Sequence, residues 1–174
     1  SHYAITKCKA EEYIMDWENG ICLRLATVFG SSPRMRTDLL VNDFVYKTIT
    51  EGCLVLFQSK FKRNYIHVRD IAYTFMHCIE NYDKLNGEVF NVGLSDANLN
   101  KMELATKIKT YFPKLVIIEN EFSSDIDNRN YIVSNDKLEA TGWKPKFTID
   151  DGVEELIQAY EMVITDNNKK YTNL

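Results

Sequence analysis

The 174 residues carry 21 Lys and Arg against 25 Asp and Glu, a formal charge of -4, and are 45% hydrophobic and 26% charged. That length buries one substantial core, and the balance is that of a globular protein. A net acidic chain argues against a duplex nucleic-acid partner, which needs a basic face to neutralise phosphates; no apolar run nears the roughly 20 residues that cross a bilayer, and no charged-then-apolar leader opens the chain, so no membrane partner and a cytoplasmic location are expected.

Residues 3–18 repeat apolar groups at Tyr3, Ile5, Ala10, Tyr13, Ile14 and Trp17, the spacing of an amphipathic helix, and Asn19-Gly20 offers a stop because both tolerate positive φ. Residues 21–29 read as one buried strand, ended by Gly30-Ser31-Ser32-Pro33. Thr37-Asp38 is placed to cap a helix reaching about Thr50, with Leu40, Val41, Phe44, Val45 and Ile49 toward the core and Gly52 as its end. Residues 54–57 and 65–68 read as short strands. Asp70 is placed to cap a helix running toward Asn81, in which Ile71, Phe75, Met76 and Ile79 recur at helical spacing. A strand at 89–92 stops at Gly93, Asn100 caps a helix over 101–111, and 115–118 is a further strand. A short helix over 135–141 stops at Gly142, and Asp150 or Asp151 starts a last helix with Val153, Leu156, Ile157, Tyr160 and Ile164 on one side. Residues 166–174 form a polar tail expected to fray.

This alternation predicts a layered α/β fold with some parallel sheet. The early segments suit a larger doubly wound sheet; the later, shorter ones suit a small appended α/β lobe. No G-x-G-x-x-G or G-x-x-G-x-x-G occurs, so nothing in the chain cradles a dinucleotide pyrophosphate by the usual route. Cys8, Cys22, Cys53 and Cys78 are scattered, without a C-x-x-C pair or a histidine at zinc spacing, and read as reduced thiols. Asp125 and Asp127 are an acidic pair without converging partners, so no metal site is expected.

Tyr3 and Lys7 form a Y-x-x-x-K pair. Positions i and i+4 share one helix face, which sets phenol and ammonium side by side. The chemistry needs that arrangement: a phenol is a poor base near neutral pH, and a neighbouring cation favours its phenolate.

The run Ser1-His2-Tyr3-Ala4-Ile5-Thr6-Lys7, then Ala10-Glu11, then Arg24-Leu25-Ala26-Thr27-Val28-Phe29-Gly30, resembles the extended short-chain dehydrogenase/reductase family, in particular its NAD-dependent epimerases and dehydratases. The likeness continues through Arg63-Asn64-Tyr65-Ile66-His67-Val68-Arg69-Asp70-Ile71-Ala72, which is similar to R-x-[FY]-[IV]-[HY]-V-x-D-[VI]-A. It continues again in Phe90-Asn91-Val92-Gly93, Asp127-Asn128-Arg129 and Gly142-Trp143-Lys144-Pro145. The resemblance implies the C-terminal part of a Rossmann-type sheet over residues 1–34, a substrate-binding lobe with interleaved sheet elements over 35–165, and the tail. It also implies that the glycine-rich nucleotide-binding half and a catalytic Ser or Thr precede Tyr3, so that this chain alone is inactive.

By the same resemblance Tyr3 takes a proton from a sugar hydroxyl while hydride leaves the same carbon for NAD or NADP, and Lys7 orients the cofactor's ribose. Thr27 and Val28 pass beside the nicotinamide. Arg63 and Arg129 hold the diphosphate or the ribose of a nucleotide-diphosphate sugar, and a planar guanidinium fork is suited to the phosphate oxygens. Asn42 and Arg34 are further substrate candidates, and a homodimer is implied. His67, between Ile66 and Val68 on a strand, is expected to be structural. An NADPH-dependent keto-sugar or other carbonyl reductase is the alternative enzyme. A non-catalytic dinucleotide sensor or assembly protein is the alternative of another class, disfavoured by the presence of both Tyr3 and Lys7.

Overall fold

The computed structural model describes residues 1–17, 19–120 and 130–165. Its elements follow the order α1 (His2–Asp16), β1 (Cys22–Leu25), β2 (Thr27–Phe29), α2 (Leu40–Glu51), β3 (Cys53–Phe57), β4 (Lys62–His67), α3 (Val68–Glu80) and α4 (Tyr82–Leu85). After these come β5 (Val89–Val92), β6 (Asn98–Asn100), α5 (Lys101–Tyr111), β7 (Val116–Asn120), α6 (Asp136–Glu139) and α7 (Ile149–Thr165). The fold is α/β with parallel pairing: β1 with β5, β2 with β4 and β3 with β7 run parallel, and among the described residues only β6 lies antiparallel, against β4.

The strand expected over 21–29 is two strands serving two sheets. Cys22 to Leu25 pair with Val89 to Val92; beyond Ala26, Thr27 to Phe29 pair with Tyr65 to His67. Ala26 N still donates to Val92 O at 2.9 Å, and there the chain changes partners. Along β1 the side chains alternate faces. Arg24 reaches Glu11 of α1, whereas Leu23 lines a groove with Phe75, Cys78 and Ile79 of α3. Thus α1 and α3 cover opposite faces of the β1–β5 pair.

The second layer holds most of the core. Val41, Phe44 and Val45 are buried on α2, as the pattern predicted, while Leu40 and Ile49 are only partly buried and Thr48 completes the buried stripe at i+7. The helix packs on α7, where Tyr46 and Tyr160 meet edge-on at 5.3 Å. Gly52 ends α2 in the left-handed conformation at φ 66°.

Four expectations need correction. The α2 N-terminus is Leu39, with no side-chain cap, because Asp38 is held by Arg36 Nε and Nη2 at 2.7 and 2.6 Å. The cap of α3 is His67, whose Nδ1 accepts from Arg69 N at 3.2 Å; Asp70 instead accepts from Lys146 N and Phe147 N and ties that loop to the helix. The buried stripe of α3 is Asp70, Thr74 and Cys78, while Phe75, Met76 and Ile79 are exposed. Finally, α1 stops at Asp16 with Trp17 as its cap, and neither Asn19 nor Gly20 adopts positive φ. Gly20 serves close packing: a Cβ there would stand 2.5 Å from Ile14 Cγ2. Two short elements, α4 and β6, carry too few apolar residues to show in the pattern.

Candidate functional site

Tyr3 and Lys7 share the first two turns of α1, whose start is capped by Ser1 Oγ accepting from Ala4 N at 3.2 Å. Lys7 Nζ lies 5.7 Å from the centroid of the Tyr3 ring, and no described carboxylate pairs with it. No residue of α1 is buried, and Tyr3 is 68% exposed. The helix is fastened to β1 by a two-pronged bond: Arg24 Nε and Nη2 donate to Glu11 at 2.8 and 2.5 Å, which holds the Glu11 carboxyl below the usual range. Both groups lie near the surface, so the bond positions the helix more than it stabilises the fold.

Thr27 and Val28 are half-buried on β2, the strand that carries the chain from β1 into the second layer. Asn42 is 1% exposed, and its amide is taken up by main chain. Oδ1 accepts from Gly30 N at 3.1 Å, and Nδ2 donates to Gly30 O at 3.2 Å and Arg36 O at 3.0 Å. It therefore shapes the 30–36 loop, on which Arg34 is exposed.

Arg63, on β4, is only 5% exposed. Its Nη1 donates to Lys62 O at 2.9 Å, and the guanidinium lies 5.3 Å from the centre of the Tyr131 ring. Strand alternation sets Arg63, Tyr65 and His67 on one face. Tyr131 is held there because Asn130 Oδ1 accepts from Lys62 N at 2.9 Å and Tyr131 N donates to Lys62 O at 3.4 Å. Arg129, Asp125 and Asp127 lie outside the described residues.

Sequence reasoning missed a further cluster at the C-terminal ends of β2 and β4. His67 is fully buried, stacked on Phe147 at 4.5 Å and edge-on to Phe29 at 5.3 Å. Burial pushes its pKa down; Glu155, with Oε2 3.5 Å from His67 Nε2, opposes that shift. Glu155 also accepts from Ser31 N at 2.9 Å, from Ser31 Oγ, and from Arg69 Nη2 at 2.5 Å. Glycines make the room: a Cβ on Gly30 would stand 2.6 Å from His67 Nε2, and one on Gly152 2.2 Å from Phe29 Cε2. Nothing local in the sequence links Ser31 with Glu155, since 124 positions separate them.

The structure thus forms three constellations, the α1 pair, the Arg63–Tyr131 pair and the His67–Glu155 cluster, and the β1–β2 segment leads from the first to the strand that carries Arg63 and His67. Parallel strand pairing with helices on both faces gives the described residues a Rossmann-type α/β architecture. The family follows from comparison: residues 1–93 match the model of the NAD dependent epimerase/dehydratase family, and the chain belongs to that family. CDP-paratose 2-epimerase of Salmonella typhi is 24% identical over 170 residues, covering 90% of this chain and 50% of the relative. dTDP-4-dehydro-6-deoxyglucose reductase of Escherichia coli is 28% identical over 167 residues, covering 90% of this chain and 51% of the relative. Among solved structures, dTDP-glucose 4,6-dehydratase of Bacillus anthracis in complex with NAD superposes with a TM-score of 0.77 at 23% identity, covering 93% of this chain and 52% of that one. The chain spans about half the length of these relatives.

Proposed function

We propose that this chain is the substrate-binding half of an NAD(P)-dependent epimerase or dehydratase acting on a nucleotide-diphosphate sugar. The observation that carries the reading is Lys7 standing over the Tyr3 ring on an open helix face, within the segment that matches the family. An exposed phenol with a cation beside it and no competing carboxylate fits the ribose and nicotinamide end of a dinucleotide. Bound there, the nicotinamide supplies the hydride chemistry.

In this reading Tyr3 takes the proton of a sugar hydroxyl through its phenolic oxygen, and Lys7 holds the cofactor's ribose and the charge balance. Glu11 and Arg24 fix the angle of α1 against β1, and Thr27 and Val28 form the wall beside the nicotinamide. Arg63, with Arg129 and Arg34, holds the substrate's diphosphate. Asn42 positions the loop of Arg34 and does not touch substrate itself. The exposed apolar side chains of α1 and α3, among them Tyr13, Trp17, Phe75 and Ile79, support further protein packing against these helices. By themselves the 174 residues bind substrate without turnover; a homodimer accompanies the complete enzyme.

Tyr3→Phe in the full-length protein tests the role. Turnover falls about 10²- to 10⁴-fold while nucleotide-sugar affinity is kept, the size of a lost proton-transfer step; unchanged turnover removes Tyr3 from the mechanism. Similarity to the E. coli reductase favours a second reading, an NADPH-dependent keto-sugar reductase with the same Tyr3 and Lys7. Oxidation of NADPH by a keto sugar, without net epimerisation or dehydration, selects it.

A further inference from the structure

The hydroxyl of Tyr65 is one of several buried side-chain polar atoms without a hydrogen-bond partner among the described residues, and it lies on the strand that carries Arg63. Tyr65 is fully buried on β4, and its oxygen has no hydrogen-bond partner. Unpartnered buried hydroxyls are rare in native proteins because phenylalanine fills the same space without the loss of hydration. Burial raises the Tyr65 pKa, and the groups whose charges act on it are Arg63, which opposes the rise, then Tyr131 and Glu103, which add to it. Tyr65 follows Arg63 by two residues, so both project from the same face. Glu103 is occupied elsewhere, its carboxylate accepting from Asn100 N at 2.7 Å in the cap of α5.

We propose that Tyr65 Oη is a second phosphate-binding donor of the Arg63 site, directed at an oxygen of the substrate's diphosphate. A phenol kept protonated by burial donates and carries no charge to repel an anion. Arg63 supplies the charge and the fork, and Tyr65, rigid within the core, supplies one fixed direction. Tyr131 is the partly exposed member of the trio, and its ring lies over the guanidinium. It is the side chain that turns aside to admit the ligand. The inference rests on the reading of Arg63 as a diphosphate-binding residue.

The test is calorimetric titration of the 174-residue chain, wild type and Tyr65→Phe. The probes are UDP, dTDP, CDP and GDP, each beside its own nucleoside. The wild type is expected to bind at least one diphosphate more tightly than its nucleoside. In Tyr65→Phe that preference shrinks about tenfold or more, the nucleoside binds as before, and the thermal midpoint is equal or higher, because a buried orphan hydroxyl is gone. A wild type that does not prefer diphosphate over nucleoside overturns the diphosphate site itself. A preference equally strong in Tyr65→Phe overturns the role of Tyr65 alone. So does a lowered midpoint with diphosphate and nucleoside weakened together, which marks a structural hydroxyl.

Discussion

α1 and β4 both carry family motifs, and the fold treats them in opposite ways. None of the fifteen residues of α1 is buried, whereas five of the six in β4 are. The Tyr3–Lys7 pair proposed as catalytic sits on a surface that contributes little to stability; Arg63, proposed to bind substrate, is built into the core on β4, between β2 and β6. Substitutions should therefore separate function from stability in the first element and confound them in the second.

The largest expected effect on stability contrasts two isoleucines. Ile66→Ala, at a fully buried position, costs about 2–5 kcal/mol through lost burial and a cavity. Ile5→Ala, on exposed α1, changes stability by less than about 0.5 kcal/mol. Urea unfolding of both variants measures the difference, and comparable losses would break the contrast. Gly152→Ala comes next, at about 1–3 kcal/mol from forcing a methyl against Phe29 and His67; an unperturbed urea midpoint would mean that this packing is looser than described.

The β4 side also predicts a pH dependence that α1 lacks. Burial holds the pKa of His67 below its ordinary value, so the unfolded chain binds the proton more readily than the folded one. Stability is full above about pH 6.5 and is lost as pH falls through that value toward the lower folded pKa, at no more than about 1.4 kcal/mol per pH unit. Glu155 and the acids Asp70 and Asp151 moderate the loss, and Arg69 adds to it. Urea midpoints between pH 8 and 5 should drop for wild type and stay nearly level for His67→Gln; an equal drop in both assigns the effect to another group. The smallest effect is Glu11→Gln, which weakens a surface pair by roughly 0.2–1 kcal/mol. Amide exchange along α1 should quicken while that of β4 is unchanged.

Local signals made parts of this fold legible. Asn100 and Glu103 form the reciprocal cap that their spacing allows, and Gly52 ends α2 where a left-handed residue is needed. What stayed hidden depends on distant partners. An apolar run over 21–29 does not reveal that Ala26 divides it between β5 and β4. Asp38 and Asp70 are ideal caps by type, yet Arg36 claims one and the main chain of Lys146 and Phe147 the other. Phe75 and Ile79 have core-like spacing but face outward, because the buried stripe of α3 is chosen by what packs against it. For the candidate site, Tyr3, Lys7 and Arg63 were visible as motif positions; the engagement of Asn42 with Gly30 and the stacking of Tyr131 on Arg63 required the folded chain.

In the proposed function these 174 residues hold the sugar-nucleotide end of the site and not the dinucleotide's phosphate cradle. Calorimetric titration of the purified chain with nucleoside diphosphates and, separately, with NAD and NADP tests it most directly. Measurable diphosphate binding and no saturable NAD or NADP binding are expected. Tight binding of either dinucleotide by a 20.3 kDa species would contradict it.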